Sequence, residues 1–237
     1  MKITTVLFDL DGTLLPMDQD QFTEGYFKLL AKKVVPVGFD PKELIDAIWA
    51  GTAAMVKNNG STTNEAVFWD CFRKRCGDKV IKALPLFEEF YEKEFNDAKA
   101  CCGFTAKACI TVNQCKEMGL RVALATNPIF PAIATQARIR WAGLSPSDFE
   151  LYTTYENSRY CKPNLNYYRD ILQKLKVSAE ACIMVGNDVS EDMVVQELGM
   201  QVFLLTECLI NKENKDISSY PHGGFDELLA YLKANVE

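Results

Sequence analysis

Two aspartates separated by one residue follow the first apolar run of the chain. Residues 3–8 predict a β-strand, and Asp9-Leu10-Asp11-Gly12-Thr13 leaves its carboxyl end. The pair concentrates negative charge and hard oxygen atoms at one point, although such a motif also occurs in ordinary acidic turns. A calcium loop would continue with more oxygen ligands and a glutamate at its twelfth position, whereas Thr13-Leu14-Leu15-Pro16 follows here. The pattern therefore disfavours calcium and leaves open a reactive site or a site for a smaller cation.

Three further groups of polar residues each follow a predicted strand: Thr126 and Asn127 after residues 120–125, Lys162 after residues 151–155, and Asn187, Asp188 and Asp192 after residues 181–185. Taken singly, each group has a structural explanation as a helix cap or a solvated charge. Ligands of open α/β sheets bind outside the carboxyl ends of the strands. Four polar groups in series at such ends therefore predict one shared site.

The carboxyl half of the chain alternates strand-like and helix-like segments. Between the predicted strands lie helices over about 129–141 and beyond Pro163, and a further helix that carries Met193 and Leu198. A last strand is predicted over 201–205. This alternation predicts an α/β fold with a doubly wound parallel sheet.

The segment from residue 16 to residue 99 differs from this pattern because it shows helix signals and no convincing strand. Asp40-Pro41 predicts a helix start, Thr62-x-x-Glu65 predicts a capping box, and residues 84–95 predict a long amphipathic helix. We therefore predict a smaller all-helical domain at residues 16–99, inserted into a core made of residues 1–15 and 100–237.

Composition excludes several functional classes. The 26 basic and 32 acidic residues give a net charge of −6, which argues against a nucleic-acid partner. The apolar run before Asp9 is too short for an export signal or a membrane span. Nine cysteines without a Cys-x-x-Cys pair, beside a single histidine, favour reduced thiols over zinc, and we expect a cytoplasmic protein. The oligomeric state is unknown from the sequence.

The order of these motifs carries a family resemblance. In this order the chain resembles the haloacid dehalogenase (HAD) superfamily of phosphohydrolases. The resemblance is carried by Asp9-Leu10-Asp11-Gly12-Thr13, by a strand followed by Thr126, by Lys162-Pro163 and by the Gly186-Asn187-Asp188 cluster. The likeness covers residues 1–15 and about 105–205. It implies a Rossmann-like catalytic core, and the helical insert is similar to the mobile cap of that superfamily.

The resemblance implies a role for each motif residue. Asp9 would attack phosphorus and become an aspartyl-phosphate, while Asp11 would be the general acid and then the general base. Thr126, Asn127 and Lys162 would bind the phosphoryl group, and Asp192 would orient Lys162 or a metal-bound water. The metal would be held by Asp9, Asp188 and the backbone carbonyl of Asp11.

A divalent cation also follows from electrostatics. Two unit charges of like sign about 4 Å apart repel by about 4 kcal/mol at an effective dielectric constant of about 20. Several carboxylates and a phosphate dianion around one lysine therefore need a counterion, and hard oxygen ligands favour Mg²⁺. Many members of the superfamily have Gly-Asp where this chain has Gly186-Asn187. We expect Asp188 to take the metal position, because a carboxylate binds Mg²⁺ better than an amide, with Asn187 in a supporting position.

These features predict a Mg²⁺-dependent phosphomonoester hydrolase acting on a small phosphorylated metabolite. Three alternatives stay open: a phosphosugar mutase, a haloacid dehalogenase and a phospho-accepting signalling module. A second acid at Asp11 disfavours the dehalogenase, because a halide leaves without a proton. His222, which lies outside the insert in a predicted surface loop, weakens the mutase. The acidic pair after the first strand disfavours the signalling module.

Overall fold

The computed structural model describes residues 2–77 and 79–236. Its central sheet contains five strands: β1 (Thr5–Phe8), β2 (Arg121–Leu124), β3 (Cys182–Gly186), β4 (Gln201–Leu205) and β5 (His222–Gly223). The strand order is β2-β1-β3-β4-β5, and every neighbouring pair is parallel. The predicted α/β fold with a parallel sheet is therefore confirmed.

The position of β1 between β2 and β3 brings distant parts of the chain together. Phe8 is aligned with Leu124 on β2 and with Val185 on β3. The backbone N–H of Asp9 donates to the Val185 carbonyl at 2.9 Å. The loops that leave these three strands consequently start side by side at one edge of the sheet.

The described residues form eight α-helices: α1 (Gln19–Val34), α2 (Pro41–Val56), α3 (Asn64–Cys76), α4 (Lys79–Glu92), α5 (Ala106–Glu117), α6 (Ala132–Trp141), α7 (Leu165–Leu175) and α8 (Phe225–Val236). Shorter 3-10 helices cover Val35–Val37, Glu94–Cys101, Pro146–Asp148, Ala179–Ala181 and Met193–Leu198. None of the helices in the described ranges is long and apolar enough to cross a membrane.

Helices cover both faces of the sheet because successive strand residues point to opposite sides. Val6 and Phe8 pack in one apolar cluster with residues of α5, α6 and α8. Leu7 packs in a second cluster with residues of α7 and of the 3-10 helix Met193–Leu198. The result is a three-layer core with the predicted site motifs at one edge of the sheet.

Helices α1 to α4 and the 3-10 helix Glu94–Cys101 lie between β1 and β2, and we call them the helical insert. Its two ends meet, since the Gly103 N–H donates to the Pro16 carbonyl at 2.7 Å and Met17 forms a bridge with Cys102. The insert packs against the core through aromatic contacts, such as Phe95 on Trp141 with ring centroids 5.2 Å apart. The division into a core and a separate cap domain stays a prediction.

Several local predictions need correction. Residues 151–155 form no strand, and only a single bridge joins Tyr152 to Leu124 at the outer edge of β2. Helix α6 begins at Ala132 instead of about 129, because Pro131 disfavours helical backbone in the residue before it. The helix that carries Met193 and Leu198 is a short 3-10 helix.

The starts of α2 and α3 were predicted to within one residue, whereas the long helix predicted over residues 84–95 begins earlier, as α4 at Lys79, and ends at Glu92. Asp40 caps α2 and accepts from the N–H groups of Lys42 and Glu43, both at 2.9 Å. The cap of α3 is Thr63, one residue beyond the predicted Thr62. His222 belongs to the edge strand β5 instead of a loop, and it is exposed.

Candidate active site

All eight residues predicted for the site line one cavity of about 360 Å³ between the strand-end loops and the helical insert. They are Asp9, Asp11, Thr126, Asn127, Lys162, Asn187, Asp188 and Asp192. The parallel arrangement of β1, β2 and β3 thus brings together residues that are more than 150 positions apart in the sequence.

Lys162 lies between two carboxylates at the bottom of this cavity. Its ammonium donates to Asp9 Oδ1 at 2.7 Å and to Asp192 Oδ1 at 2.6 Å. The Lys162 side chain is 1% exposed. Burial lowers its pKa, but attraction by Asp192 and Asp9 is stronger and raises the pKa of Lys162 well above the ordinary value. The lysine is therefore a fixed positive charge beside Asp9.

Asp192 is held by the loop after β3. Its second oxygen accepts from the Asp188 N–H at 3.0 Å. Burial raises the pKa of Asp192, and the nearby Lys162 opposes that rise. A Cβ on Gly186 would lie 2.0 Å from Asp192 Oδ2, so only glycine at this position admits the carboxylate. The arrangement fits the predicted role of Asp192 in orienting Lys162.

Asn187 and Asp188 have different surroundings. The Asn187 amide accepts from Thr13 Oγ1 at 3.0 Å and donates to the Cys208 carbonyl at 2.6 Å, which ties the loop after β3 to the loop after β1. Asp188 Oδ1 accepts from the N–H groups of Ser190 and Glu191 at 2.8 and 2.9 Å. Asn187 thus uses both ends of its amide within the protein.

Arg138 is a residue of the site that the sequence reasoning missed. It lies on α6, is 1% exposed, and donates from Nη1 to Asp11 Oδ2. Its guanidinium also lies over the Phe130 ring, 4.5 Å from the centroid. Burial raises the pKa of Asp11, while Arg138 lowers it. A signal was present in the sequence, because position 138 falls on the apolar face of α6 that Ala134 and Trp141 define, and a charge there requires a buried partner.

Glu191 is a second residue that was missed. It lines the cavity, and both of its carboxylate oxygens accept from Asn127 Nδ2 at 3.2 Å. Burial raises the pKa of Glu191 to about 7. Asn127 Oδ1 and Asp11 Oδ1 are both buried and have no hydrogen-bond partner in the described part of the chain. Two unpaired oxygen acceptors therefore lie at the acidic side of the cavity.

The donor set fits Mg²⁺ better than a softer metal. Residues 2–77 and 79–236 contain no cluster of three or more His, Cys, Asp or Glu side chains arranged to hold a metal ion. A site here would depend on two carboxylates, Asp9 and Asp188, together with backbone and water oxygens. Mg²⁺ commonly binds in this way, because it keeps several waters and takes one or two carboxylates. The unpaired Asp11 and Asn127 oxygens add further hard acceptors to the same cavity.

The opposite side of the cavity is formed by aromatic side chains of the insert, which we call the aromatic wall: Phe22, Tyr26, Phe27, Trp49, Phe68, Trp69, Phe72, Phe87 and Tyr91. Many of these rings contact one another edge to face, as Trp69 and Phe72 do with centroids 5.7 Å apart. The wall meets the core at Phe130, which contacts Tyr26 at 5.5 Å between centroids.

Comparison with known proteins identifies the family to which these motifs correspond. The chain matches the haloacid dehalogenase-like hydrolase family over residues 3–194. No curated protein matches the sequence.

Similar solved structures include both phosphatases and dehalogenases. A HAD phosphatase of Thermococcus onnurineus has a TM-score of 0.60 and 18% identity, over 99% of this chain and 100% of that chain. A 2-haloacid dehalogenase of Pseudomonas syringae has a TM-score of 0.65 and 18% identity, over 98% of this chain and 99% of that chain. A HAD-hydrolase of Bacillus subtilis has a TM-score of 0.57 and 15% identity, over 98% of this chain and 99% of that chain. That structure is described as bound to magnesium and as revealing interdomain movement. At these identities the likeness concerns the fold.

Proposed function

We propose, on the premise that this chain belongs to the haloacid dehalogenase-like hydrolase family, that it hydrolyses small phosphomonoesters with Mg²⁺ as its cofactor. The observation that carries the proposal is the contact of 2.7 Å between Lys162 Nζ and Asp9 Oδ1. It puts a permanent positive charge beside a carboxylate that faces the cavity, with Asp11 two residues away. That combination suits attack on a phosphate dianion.

Asp9 is the proposed nucleophile. One of its carboxylate oxygens bonds to phosphorus, the bond from phosphorus to the ester oxygen breaks, and the departing oxygen takes a proton from Asp11. Water then attacks the aspartyl-phosphate and gives its proton to Asp11, which releases inorganic phosphate and restores Asp9. Burial, which raises the pKa of Asp11, helps this carboxyl group to hold the proton it must donate.

The remaining residues bind and neutralise the phosphoryl group. Lys162 counters the charge of Asp9 and of the phosphoryl oxygens, and Asp192 holds its ammonium in place. Thr126 and Asn127 follow β2 directly and line the same cavity, so they are the proposed phosphoryl ligands. Mg²⁺, when bound, neutralises the charge that the carboxylates and the phosphate share. Asp9, Asp188 and the carbonyl of Asp11 would hold it, and the engaged amide of Asn187 supports Asp188 over Asn187.

We assign the helical insert the role of a cap over this site, because it forms the wall opposite the strand-end loops. Cap closure would exclude water from the first attack. A cytoplasmic location is part of the proposal, since the described residues include nine free cysteines and a reducing compartment keeps such thiols unpaired.

Replacement of the nucleophile tests this function. Asp9→Asn should abolish release of phosphate from p-nitrophenyl phosphate in the presence of Mg²⁺, with an unchanged circular dichroism spectrum. Asp46→Asn, at an exposed position of α2, is the matched control and should keep the parent rate. Hydrolysis by Asp9→Asn at the parent rate would show that the nucleophile is another group.

The alternatives give different products. A dehalogenase would release chloride from 2-chloropropionate, a mutase would return an isomeric phosphate ester, and a signalling module would incorporate one phosphate per chain without turnover. The exposed His222 does not line the cavity and therefore offers no base for a mutase. Assays for chloride, isomer and multiple turnovers on one protein sample separate all four activities.

A further inference from the structure

The aromatic wall is continuous with the proposed phosphate site. Phe27, Trp69 and Tyr91 line the same cavity as Asp9 and Lys162. Ligand pockets of about 300–1,000 Å³ bury most of a small ligand, so a cavity of about 360 Å³ has room for a phosphate and a group of modest size. Whatever is esterified to the phosphate must therefore lie against the wall.

Cations that could bind a second anionic group are scarce in this cavity. Among the described lining residues only Lys162 and Lys212 are basic. Lys162 is already paired with Asp9 and Asp192, and Lys212 is exposed in the loop after β4. Arg138 is buried behind the cavity and paired with Asp11. A carboxylate or a second phosphate placed against the wall would thus lose its hydration without gaining a buried counterion.

The polar groups of the wall mostly pair with each other. The hydroxyls of Tyr26 and Tyr91 are 2.8 Å apart. Trp69 Nε1 donates to the Tyr155 hydroxyl at 3.3 Å. Gln19, Asp20, Thr23 and Thr52 of the insert also line the cavity. The rings themselves offer few free partners to a polyhydroxylated group such as a sugar, whereas an apolar group would bury its surface against them.

We propose that the substrate is a phosphate monoester of an uncharged aromatic or bulky apolar alcohol. This inference rests on the proposed function, because it places the phosphate at Asp9 and Lys162. The alcohol part packs on the aromatic wall, and the specificity of the enzyme comes from the apolar contact and from the lack of a buried cation in that wall among the described lining residues.

Two esters that differ mainly by one charge test the substrate class. Benzyl phosphate and 4-carboxybenzyl phosphate have leaving alcohols of similar acidity. The kcat/KM for benzyl phosphate should exceed that for the carboxylated ester by about 30-fold or more, and it should exceed that for glycerol phosphate by a similar factor. Equal or higher kcat/KM for either polar ester would overturn the proposal.

Binding of non-hydrolysable analogues separates this inference from the proposed function. Benzylphosphonate and 4-carboxybenzylphosphonate can be titrated by calorimetry with Mg²⁺ present, whether or not any ester is hydrolysed. Tighter binding of benzylphosphonate supports the proposed ligand class, even if p-nitrophenyl phosphate is not turned over. Equal binding, tighter binding of the carboxylated compound, or no binding of either would reject it.

A positive charge placed in the wall should weaken the preference for the uncharged ester. Phe27→Lys introduces a cation at a half-buried lining position of α1, and the ratio of kcat/KM for the benzyl over the carboxybenzyl ester should fall by about tenfold. Phe27→Met keeps the position apolar, and Phe104→Lys makes the same change at a residue that is 64% exposed and outside the cavity. Both controls should keep the parent ratio. A ratio in Phe27→Lys equal to that in Phe27→Met would contradict the inference.

Discussion

The strand-end loops bring five carboxylates and Lys162 to the cavity, whereas the helical insert brings nine aromatic rings. The polar side is held by hydrogen bonds between side chains and loop backbone, such as the one that Asp192 accepts from the Asp188 N–H at 3.0 Å. The aromatic side is held by ring packing, as between Phe72 and Phe87 at 5.7 Å. Charged groups need fixed partners once they are buried, while apolar groups need only matching shape.

This difference assigns separate tasks to the two regions. The polar side contains Asp9 and Asp11, the proposed nucleophile and general acid, and both sides lie within residues 3–194, which the family matches. Among the described residues of the insert, Asp20 is the one carboxylate that lines the cavity. The proposed chemistry does not use it, and the task we propose for this side is the selection of substrates. Changes on the polar side should therefore alter the rate for every substrate, and changes on the aromatic side should alter the choice among substrates.

Metal removal should produce the largest effect. Chelation with EDTA should lower phosphatase activity by about 10³-fold or more, because the carboxylates would then repel the phosphate dianion. Addition of excess Mg²⁺ should restore the rate. Full activity in the chelator, or recovery with Zn²⁺ alone, would show that the acidic side does not work as a Mg²⁺ site.

Lys162→Met should reduce kcat/KM by about 10²- to 10³-fold for every ester tested. It should also lower the free energy of unfolding by about 3–5 kcal/mol, because Asp9 and Asp192 lose their buried counterion. Activity assays and urea denaturation measure the two effects. Lys28→Met, at an exposed position of α1, is the control and should change neither quantity.

Arg138→Met tests whether the buried guanidinium positions Asp11. We expect kcat/KM for alkyl phosphates to fall by about 10²-fold, with a much smaller fall for p-nitrophenyl phosphate, whose leaving group needs no proton. Arg138→Lys, which keeps a charge, should recover part of the loss. If the role of Arg138 were purely structural, kcat/KM would fall equally for both substrates. Arg138→Lys would then give no selective recovery of kcat/KM for alkyl phosphates.

Trp69→Ala should give the smallest effect and sharpen the contrast between the two regions. The KM for benzyl phosphate should rise by about tenfold with little change in kcat, because only apolar contact is lost. Phe104→Ala, outside the cavity, should leave KM unchanged. A large fall in kcat with an unchanged KM would place Trp69 in the chemistry instead of in substrate selection.

The contact between α2 and α3 within the insert depends on one glycine. Helix α2 continues through Gly51, where the absent side chain makes room for Phe68. A Cβ at position 51 would lie 2.6 Å from the Phe68 ring. The glycine therefore serves close packing between α2 and α3, which no local pattern reveals.

Local patterns in the sequence determined strands β1 to β4, the starts of α2 and α3, and the eight polar residues of the site. These features depend on backbone preferences and on apolar periodicity over a few residues, so they can be read without knowledge of distant contacts. The outer segment 151–155 was misjudged because its pattern alone does not show that it meets β2 at only one bridge.

Tertiary structure alone decided the partners of the charged groups and the identity of the aromatic wall. Arg138 lies 127 residues from Asp11 in sequence, and Lys162 lies 153 residues from Asp9. The sequence alone is equally compatible with these rings forming only an ordinary helical core. Their position over the strand ends shows that they also line the cavity. The ion pairs and the shape of the cavity depend on which surfaces pack against each other. Those contacts form between atoms that are far apart along the chain, so local sequence patterns do not reveal them.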